Sequence, residues 1–330
     1  RPSPMLSRRS TLAMLGTATF SLSPALFAQT PFPNKPLRWI VPYPAGGGSD
    51  FMARVVGLPM SQAVNQTVVV DNKPGGNGAI AVADLLRSPA DGHTLINVDN
   101  GTLVFNPVLY KKLGYVPDRD LKLVTLLARA PMILVVGPGS TAKDVKEFID
   151  QARRQPGTQN FGSAGAGTPQ HMAMEMLMHH AKLKMTHIPY KGSSPALGDL
   201  AGGQIPAVMS DYAAAGGFLQ SGKLRALAVA DTRRHPRLPD VPTFAEIGLP
   251  GVEATALVGV AVPATTPDAI VVALQKAVAQ ALLSPQTSAK YREVGIEPVG
   301  NTPQEFTQLI AAEVARWHPL IRSLGITLDA

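Results

Sequence analysis

The sequence contains no cysteine among its 330 residues. Disulfide bonds, thiolate metal sites and cysteine nucleophiles are therefore excluded. Runs of like charge are also missing: the formal net charge is +7, but basic and acidic residues are interspersed along the chain. A solvated basic surface explains this distribution better than a nucleic-acid interface, so we expect no nucleic-acid partner.

Long hydrophobic runs are missing as well, because no stretch after the N-terminal segment reaches the roughly 18 apolar residues of a membrane-spanning helix. The N-terminal segment itself predicts export. Arg8 and Arg9 precede an uncharged, mildly apolar run over residues 11–28. We expect residues 1–28 to be a cleavable signal peptide and the mature, periplasmic protein to begin near Gln29.

The type of signal stays open. The string SRRSTL, residues 7–12, resembles a twin-arginine signal, whereas a general secretory signal that happens to carry two adjacent arginines is the alternative. A membrane anchor is disfavoured by Pro24 and by the Ser, Thr and Gly residues interleaved in the run.

Catalytic motifs are absent too. The chain has no G-x-S-x-G elbow, no H-E-x-x-H pair and no phosphate loop with its lysine. The best dinucleotide candidate, GAGTPQ at 165–170, lacks the third glycine. His171 and Glu175 are four residues apart, which predicts a polar contact on one helix face rather than a metal site. We therefore expect neither a metal nor a cofactor.

Short β-rich runs alternate with helical patterns along almost the whole chain, which predicts α/β sheets that are mainly parallel. The predicted strands are 37–43, 67–72, 93–100, 122–138 with an interruption at 129–131, 160–164, 184–190, 206–211, 224–230, 258–263 and 296–299. The predicted helices are 49–64, 79–87, 141–154, 169–181, one near 193–201 and three at the C-terminal end. The last begins with Thr302, Pro303 and Glu305, a capping box.

Two glycine-rich loops are alike: AGGGS at 45–49 and SAGAGT at 163–168. Each lies between a predicted strand and a predicted helix, where backbone N–H groups and the helix dipole favour an anion. Ser49, Ser163 and Thr168 add hydroxyl donors, and neither loop contains Lys or Arg. Such loops can hold a carboxylate reversibly, although for either loop alone the glycines could simply permit a tight turn.

Other polar residues lie beside these loops. Tyr190, Lys191 and Gly192 close a predicted strand and could face a cleft, with Lys191 either the one nearby cation or an exposed lysine. We expect Ser49 or Asp50 to cap the helix that follows, with a ligand that bears an amine as the alternative role for Asp50. Tyr43 precedes the first loop, and Asp211 ends the predicted strand 206–211.

Eight motifs in order along the chain resemble the exported receptors of tripartite tricarboxylate transporters, the Bug family of solute-binding proteins. They are PYPAGGGSD (42–50), DNKPGGNG (71–78), DGHTL (91–95), YVPDRD (115–120), SAGAGTPQH (163–171), IPYKG (188–192), GKLRALA (222–228) and PDVPTFAE (239–246). They span nearly all of the expected mature chain. One departure is Leu257, which stands where the family usually has Trp and puts ligand choice or cleft packing on that side in doubt.

The resemblance implies a type II periplasmic-binding fold: two α/β domains joined by a two-strand hinge, with the ligand cleft between them. One domain would hold residues 29–131 and 254–330, and the other residues 132–253. The hinge would lie near 129–133 and 254–259.

The resemblance also implies a small carboxylate ligand, delivered to the membrane permease subunits of a tripartite tricarboxylate transporter. We expect a monomer. The predicted ligand-binding residues are Tyr43, Ala45, Gly46, Gly47, Gly48, Ser49, Asp50, Ser163, Ala164, Gly165, Gly167, Thr168, His171, Tyr190, Lys191 and Asp211.

Two other functions stay open from the sequence. The first is an exported α/β enzyme that acts on carboxylate esters, which would need a nucleophile with a base within reach. The second is a ligand-sensing subunit of a signalling system, which would use the same cleft.

Overall fold

The computed structural model describes residues 32–328. The predicted signal peptide, residues 1–28, and the expected mature start near Gln29 lie outside the described residues.

Two mixed sheets organise the described chain. The first has six strands, β1 (Leu37–Val41), β2 (Val68–Asn72), β3 (Thr94–Asp99), β4 (Leu121–Pro131), β10 (Thr255–Pro263) and β11 (Glu297–Pro298), in the spatial order β11-β4-β10-β3-β1-β2. The second has five strands, β5 (Ile133–Val136), β6 (Asn160–Ser163), β7 (Thr186–Pro189), β8 (Ala207–Ser210) and β9 (Arg225–Val229), in the order β7-β6-β8-β5-β9. The six-stranded sheet and the helices that connect its strands are called the first lobe. The five-stranded sheet and its connecting helices are called the second lobe.

Helices connect most of the strands. In chain order they are α1 (Gly48–Val64), α2 (Ala79–Leu86), α3 (Asn106–Leu109), α4 (Pro117–Asp120), α5 (Val145–Arg154), α6 (Pro169–Ala181), α7 (Ser193–Ala201), α8 (Tyr212–Gln220), α9 (Asp268–Leu282), α10 (Pro285–Glu293) and α11 (Pro303–Leu324). Short 3₁₀ turns lie at Gly76–Gly78 and Ala245–Ile247, and a π-helical turn lies at Gly101–Phe105.

The direction of strand pairing refines the expectation of mainly parallel sheets. β1 pairs in parallel with β2 and β3, and β6 pairs in parallel with β7 and β8. Every antiparallel pairing involves β4, β5 or β10. The parallel expectation therefore fails for the strands that carry the chain between the lobes, because a strand that enters or leaves a sheet there can run against its neighbours.

The chain passes between the sheets at Met132 and again between Ala230 and Ala254, and these three residues are joined by backbone hydrogen bonds. Met132 N donates to Ala254 O at 2.9 Å, Ala254 N donates to Ala230 O at 2.9 Å, and Ala230 N donates to Met132 O at 2.8 Å. Met132 separates β4 from β5, so the predicted long strand 122–138 is interrupted one residue after the predicted break. The segments that connect the two lobes are thus held side by side by these three hydrogen bonds, and we call this place the crossing.

The C-terminal helices belong to the first lobe. Trp317 of α11 meets Phe105 edge-on with ring centroids 4.8 Å apart, and Tyr291 of α10 donates from its hydroxyl to Met52 O of α1 at 2.9 Å. The predicted capping box of α11 is present, because the side chains of Thr302 and Glu305 each accept from the other's backbone N–H.

Several helices differ from the sequence-based expectations: the short helices α3 and α4 were not predicted, and α5 begins at Val145 rather than at residue 141. Helix α1 begins at Gly48 with Gly47 as its N-cap, so neither Ser49 nor Asp50 caps it. Helix α8 is not among the predicted helices because its sequence, YAAAGGFLQ, contains two glycines, which weaken a helical pattern. Its formation is helped by Asp211, whose side chain accepts from Ala214 N as the N-cap.

Replacement of Gly259 by Ala should destabilise the first lobe. A Cβ at Gly259 would overlap the ring of buried Phe306 and lie 2.9 Å from Thr125 O. Such overpacking typically costs about 1–3 kcal/mol. Gly217→Ala is the matched control, because Gly217 is exposed in α8 with open space where a Cβ would lie, and alanine should add about 0.5–1 kcal/mol there. Urea unfolding measures both free energies, and equal stability of the two variants would contradict the packing described.

Candidate functional site

A cavity of about 60 Å³ lies where the two lobes meet. Its first-lobe wall comprises Tyr43, Pro44, Gly47, Gly48, Ser49, Met52, Asp99, Ala130, Ala256 and Val258. Its second-lobe wall comprises Ala164, Pro169, Gln170, Gly192, Ser193, Ser194, Pro195 and Asp211. The walls therefore come mainly from the carboxyl ends of β1, β3, β6 and β8 and from the helix starts that follow, which is where α/β sheets bind ligands.

The lobes are close together in this conformation. A Cβ at Gly48 would lie 3.2 Å from Asp211 Oδ1, and a Cβ at Gly192 would lie 3.2 Å from Pro44 Cδ. A cavity of this size has room for only a few water molecules. A ligand larger than that can enter only if the lobes separate.

The strongest anion-binding feature is a pair of helix N-termini that lack side-chain caps. The N-cap residues of α1 and α7 are Gly47 and Gly192, which have no side chain to accept the first N–H groups. Both helices begin at the cavity, one from each lobe. The N–H groups of Gly48, Ser49 and Ser193 therefore remain available to an anion, and the two helix dipoles favour it.

The other two helix starts at the cavity are already capped. The Thr168 side chain accepts from His171 N at the start of α6, and the Asp211 side chain accepts from Ala214 N at the start of α8. Their first-turn donors are partly satisfied within the protein, so they offer less to a ligand than α1 and α7 do.

Three backbone donors of the second glycine loop are used internally. Gly165 N donates to Ser163 Oγ at 3.1 Å, Gly167 N donates to His171 Nδ1 at 3.1 Å, and Thr168 N donates to Gly165 O at 3.3 Å. Of the predicted residues in this loop, Ala164 lines the cavity. The positive φ of Gly167, +77°, and its contact with the other lobe explain why glycine stands there.

The first glycine loop divides into a part that faces the cavity and a part that does not. Ala45 and Gly46 are exposed, whereas Gly47, Gly48 and Ser49 line the cavity. Gly47 has a φ of −86°, and a Cβ there would meet only Pro44 O, at 3.7 Å, so backbone strain does not require glycine. Its role is instead to leave the helix start uncovered.

Asp50 holds the first loop in place. It is buried, and its carboxylate accepts from Gly46 N, Arg54 Nε and Asn72 Nδ2, each at 3.0 Å. Burial raises the pKa of Asp50, but the hydrogen bonds from Arg54, Gly46 and Asn72 outweigh it and lower that pKa overall. Because its oxygens are committed to these partners, Asp50 supports the loop and does not line the cavity.

Two other buried aspartates do line the cavity, one from each lobe. Asp99 accepts from the Tyr43 hydroxyl at 2.6 Å and from Thr102 N at 3.0 Å. Asp211 accepts from Ala214 N at 3.0 Å. Burial raises the pKa of both carboxyls, and their hydrogen bonds only partly offset that effect. No lysine or arginine is among the residues that line the cavity.

The predicted residues after β7 lie outside the cavity. The Tyr190 hydroxyl donates to Asp199 Oδ2 at 2.8 Å, and Lys191 is exposed. Burial and the Asp199 carboxylate raise the pKa of Tyr190 to about 12. The next residue, Gly192, is the one that reaches the cavity wall.

A stacked histidine pair lies behind the cavity. The rings of His171 and His187 are 3.9 Å apart, and Ser163 Oγ lies 2.7 Å from His187 Nε2. The predicted contact between His171 and Glu175 is present at 3.3 Å. Burial, together with the neighbouring His171, lowers the pKa of His187 to about 3, so its ring is neutral at physiological pH.

Leu257 faces away from the cavity. Its neighbours along β10, Ala256 and Val258, line the cavity, and side chains alternate along a strand. Leu257 is buried in the core of the first lobe, and its N–H donates to Asn100 Oδ1 at 2.6 Å. The residue that departs from the family pattern is therefore a packing residue here.

Residues that the sequence prediction missed are Asp99, Gln170, Ser193 and Ser194. Asp99 could have been predicted, because it ends β3 at the same edge of the sheet as Tyr43, where ligands bind. Ser193 and Ser194 were harder to predict, because Gly192 alone indicates that the helix after β7 starts without a side-chain cap.

Asn77 joins the two lobes directly. Its Nδ2 donates to Gly167 O at 2.7 Å and to Asn106 Oδ1 at 2.7 Å, and its Oδ1 lies 3.4 Å from the Tyr43 hydroxyl. Asn77 has a left-handed backbone with a φ of +45°, a conformation that asparagine tolerates better than most residues. A short polar network thus connects the cavity wall at Tyr43 to an interlobe hydrogen bond.

Over residues 32–328, no group of three His, Asp or Glu side chains is arranged to hold a metal ion. None of the helices in that range combines the length and apolar character needed to cross a membrane.

Comparison with known proteins places these features in a family. Residues 52–326 match the family model of the tripartite tricarboxylate transporter family receptor. Protein BugT of Bordetella pertussis is 33% identical over 320 residues, covering 96% of this chain and 98% of that protein.

Solved structures agree with the sequence match. An R. palustris protein solved with adipate has a TM-score of 0.86 at 34% identity, covering 90% of this chain and 99% of that one. MatC from Rhodopseudomonas palustris, solved with malate, has a TM-score of 0.84 at 31% identity, covering 88% and 100%. The predicted family and the predicted fold, two α/β domains of the periplasmic-binding type, are confirmed.

The Asn77→Gly variant should favour the open arrangement of the lobes. Glycine keeps the left-handed backbone but removes the hydrogen bond to Gly167, which is worth about 0.5–1.5 kcal/mol. The radius of gyration of the unliganded protein in small-angle X-ray scattering should rise. Asn65→Gly is the matched control, since Asn65 also has a positive φ, +51°, and caps α1 away from the interlobe contact. An unchanged radius in Asn77→Gly would contradict a closing role.

Proposed function

The chain belongs to the tripartite tricarboxylate transporter receptor family, and we propose that it is a periplasmic solute-binding protein that captures a small carboxylate and delivers it to a membrane permease. The observation that carries this proposal is the pair of uncapped helix N-termini, at Gly48 and Ser193, which face one cavity from opposite lobes. Such termini bind carboxylates without a full counter-charge.

The solved relatives support the ligand class. The R. palustris protein was solved with adipate and MatC with malate, and both ligands are carboxylates. Their match to this chain spans about nine tenths of its length. We therefore assign the carboxylate class to this chain's cavity.

The proposed contacts are backbone N–H groups and hydroxyls. Gly48, Ser49, Ser193 and Ser194 would donate to the carboxylate. Each donor is neutral, so binding does not need a buried cation and stays reversible, as capture and release require. Two other predicted residues support these donors without contacting the ligand. Asp50 fixes the first loop, and the carbonyl of Gly167 accepts the interlobe hydrogen bond.

The aspartates set a limit on the ligand. Asp99 and Asp211 line the same cavity, and no basic side chain lines it with them. Each added negative charge on a ligand is opposed by these carboxyls unless they hold their protons. A ligand with one carboxylate, or with a carboxylate and an ammonium group, avoids this repulsion, whereas a dicarboxylate such as the adipate or malate of the relatives requires the aspartates to keep their protons.

The mechanism that we propose is closure of two domains about the crossing. The domains would be residues 29–131 with 254–330, and residues 132–253, and they would function in a monomer. Closure brings α1 and α7 to the same ligand and excludes water, which strengthens each N–H contact with the carboxylate. Opening at the crossing would then release the ligand to the permease.

An esterase is not favoured by the geometry. Ser163 lies beside His187, but the Ser163 side chain is buried and its hydroxyl is also within hydrogen-bond distance of Gly165 O. A histidine with a pKa of about 3 is a weak base at neutral pH. We therefore propose that the protein has no catalytic role.

Carboxylate affinity should fall as pH rises. The raised pKa values of Asp99 and Asp211 mean that the folded protein holds protons that the unfolded chain has lost, so stability also falls as pH rises through those values. A bound anion raises both pKa values further, which couples binding to proton uptake. One coupled proton changes affinity by at most about tenfold per pH unit.

Calorimetry with organic acids and amino acids at pH 5 and pH 8.5, both above the ordinary carboxyl pKa, tests the function and this coupling. Asp211→Asn keeps the N-cap of α8 and should reduce the pH dependence to the part that Asp99 contributes, whereas Asp118→Asn, at an exposed site, should leave it unchanged. If no carboxylate binds at either pH, the proposed function is wrong.

Hydrolysis of p-nitrophenyl acetate should proceed at the spontaneous rate in the presence of the protein, because Ser163 is inaccessible and its base is weak. Ser163→Ala should not change that rate. A rate above the buffer control that disappears in Ser163→Ala would establish the enzyme instead.

A further inference from the structure

A second groove lies on the reverse side of the strand that lines the ligand cavity. Ala130 of β4 faces the cavity, whereas its neighbours Arg129 and Pro131 line a groove of about 670 Å³. Side chains alternate along a strand, so the two openings occupy opposite faces of β4. The groove therefore sits directly behind the crossing about which we propose that the lobes close.

Both lobes contribute to this groove. The first lobe supplies Arg129, Arg292 and the segment 295–297, and the second supplies the segment 231–236, which follows β9. His235 connects them: its Nδ1 accepts from Arg237 N at 3.2 Å, so its Nε2 donates to Gly295 O at 2.9 Å. A rotation of one lobe relative to the other would change the shape of the groove.

The groove carries a net positive charge, because four arginines line it against two acidic residues, Asp231 and Glu297. Arg129, Arg233 and Arg292 are exposed, and within residues 32–328 none of the three makes an ion pair or a side-chain hydrogen bond. The fourth arginine, Arg234, is bonded to Glu246 at 3.0 Å. Three arginines without an acidic partner therefore line one groove, and together they can contact one anionic partner.

We propose that this groove binds an acidic segment of the membrane partner and does so in the closed arrangement of the lobes. The proposal rests on the proposed transport function. The three arginines come from three separate segments of the chain, which suits an extended acidic peptide better than a single small anion. Arginine forks bind carboxylates in pairs of hydrogen bonds. A partner held here would contact both lobes and could distinguish a closed receptor from an open one.

Binding of a fluorescein-labelled hexaglutamate peptide, followed by fluorescence anisotropy at low salt, tests the groove. The Arg129→Ala, Arg233→Ala, Arg292→Ala triple variant should weaken binding at least about tenfold, because three ion pairs are lost. The matched control is Arg154→Ala, Lys276→Ala, Arg322→Ala, which removes the same charge from exposed positions elsewhere and should weaken binding less than about twofold. Equal losses in the two triple variants would overturn the proposal.

Two further probes separate the acidic segment from other anions. Binding of phosphatidylglycerol vesicles should not depend on the groove arginines, and inorganic phosphate at millimolar concentration should not displace the peptide. Vesicle binding that is lost with the groove arginines would overturn the proposal in favour of a lipid surface. Displacement of the peptide by phosphate would overturn it in favour of a small-anion site.

Carboxylate binding in the ligand cavity is measured on the same samples. It should be unchanged in the groove variant, since the two openings lie on opposite faces of β4. If no carboxylate binds the wild-type protein, the transport function fails. If carboxylates bind but the groove arginines do not affect peptide binding, only the docking proposal fails.

Discussion

The structure depends on the small hydrogen-bonded crossing at Met132, Ala230 and Ala254. These three backbone contacts hold β4, β9 and β10 where the chain passes between the sheets, and they are the reason that both sheets direct their helix starts to one cavity. Few covalent connections cross between the lobes, so the relative position of the lobes is set by this crossing and by a few side-chain contacts. Asn77 and His235 supply such contacts, the former bonded to Gly167 and the latter to Gly295.

The cavity combines two opposing electrostatic effects. The uncapped starts of α1 and α7 attract an anion, while Asp99 and Asp211 repel one unless they are protonated. In the function that we propose, this balance would let the site hold a carboxylate through neutral donors and release it again. Proton uptake by the aspartates is a natural consequence of placing two carboxyls in a dry interlobe space.

Most of the fold was predictable from the sequence, because alternating strands and helices with glycine turns leave few architectures. The first glycine loop was expected to present backbone N–H groups in a cleft, and the structure places Gly47, Gly48 and Ser49 at the cavity, although the expected side-chain cap of the helix is absent. The second loop resembles it in sequence, yet its N–H groups are satisfied by Ser163 and His171, which are partners that only the folded arrangement brings within reach. The helix near 193–201 was predicted, but Ser193 and Ser194 were not assigned to the ligand site, because nothing in the sequence around Gly192 shows that the start of α7 faces the cavity. Helix α8 was missed because its glycines hide a helix that a side-chain cap from Asp211 supports.

The most direct test of the proposed clamp is the response of individual backbone amides to a ligand. In ¹⁵N–¹H correlation spectra, the carboxylate that binds most tightly is added to the labelled protein. We expect large downfield shifts for the amides of Gly48, Ser49 and Ser193, because their N–H groups acquire a carboxylate acceptor. Large shifts confined to Gly165 and Gly167, with Gly48 and Ser193 unmoved, would contradict the clamp and place the ligand on the second glycine loop instead.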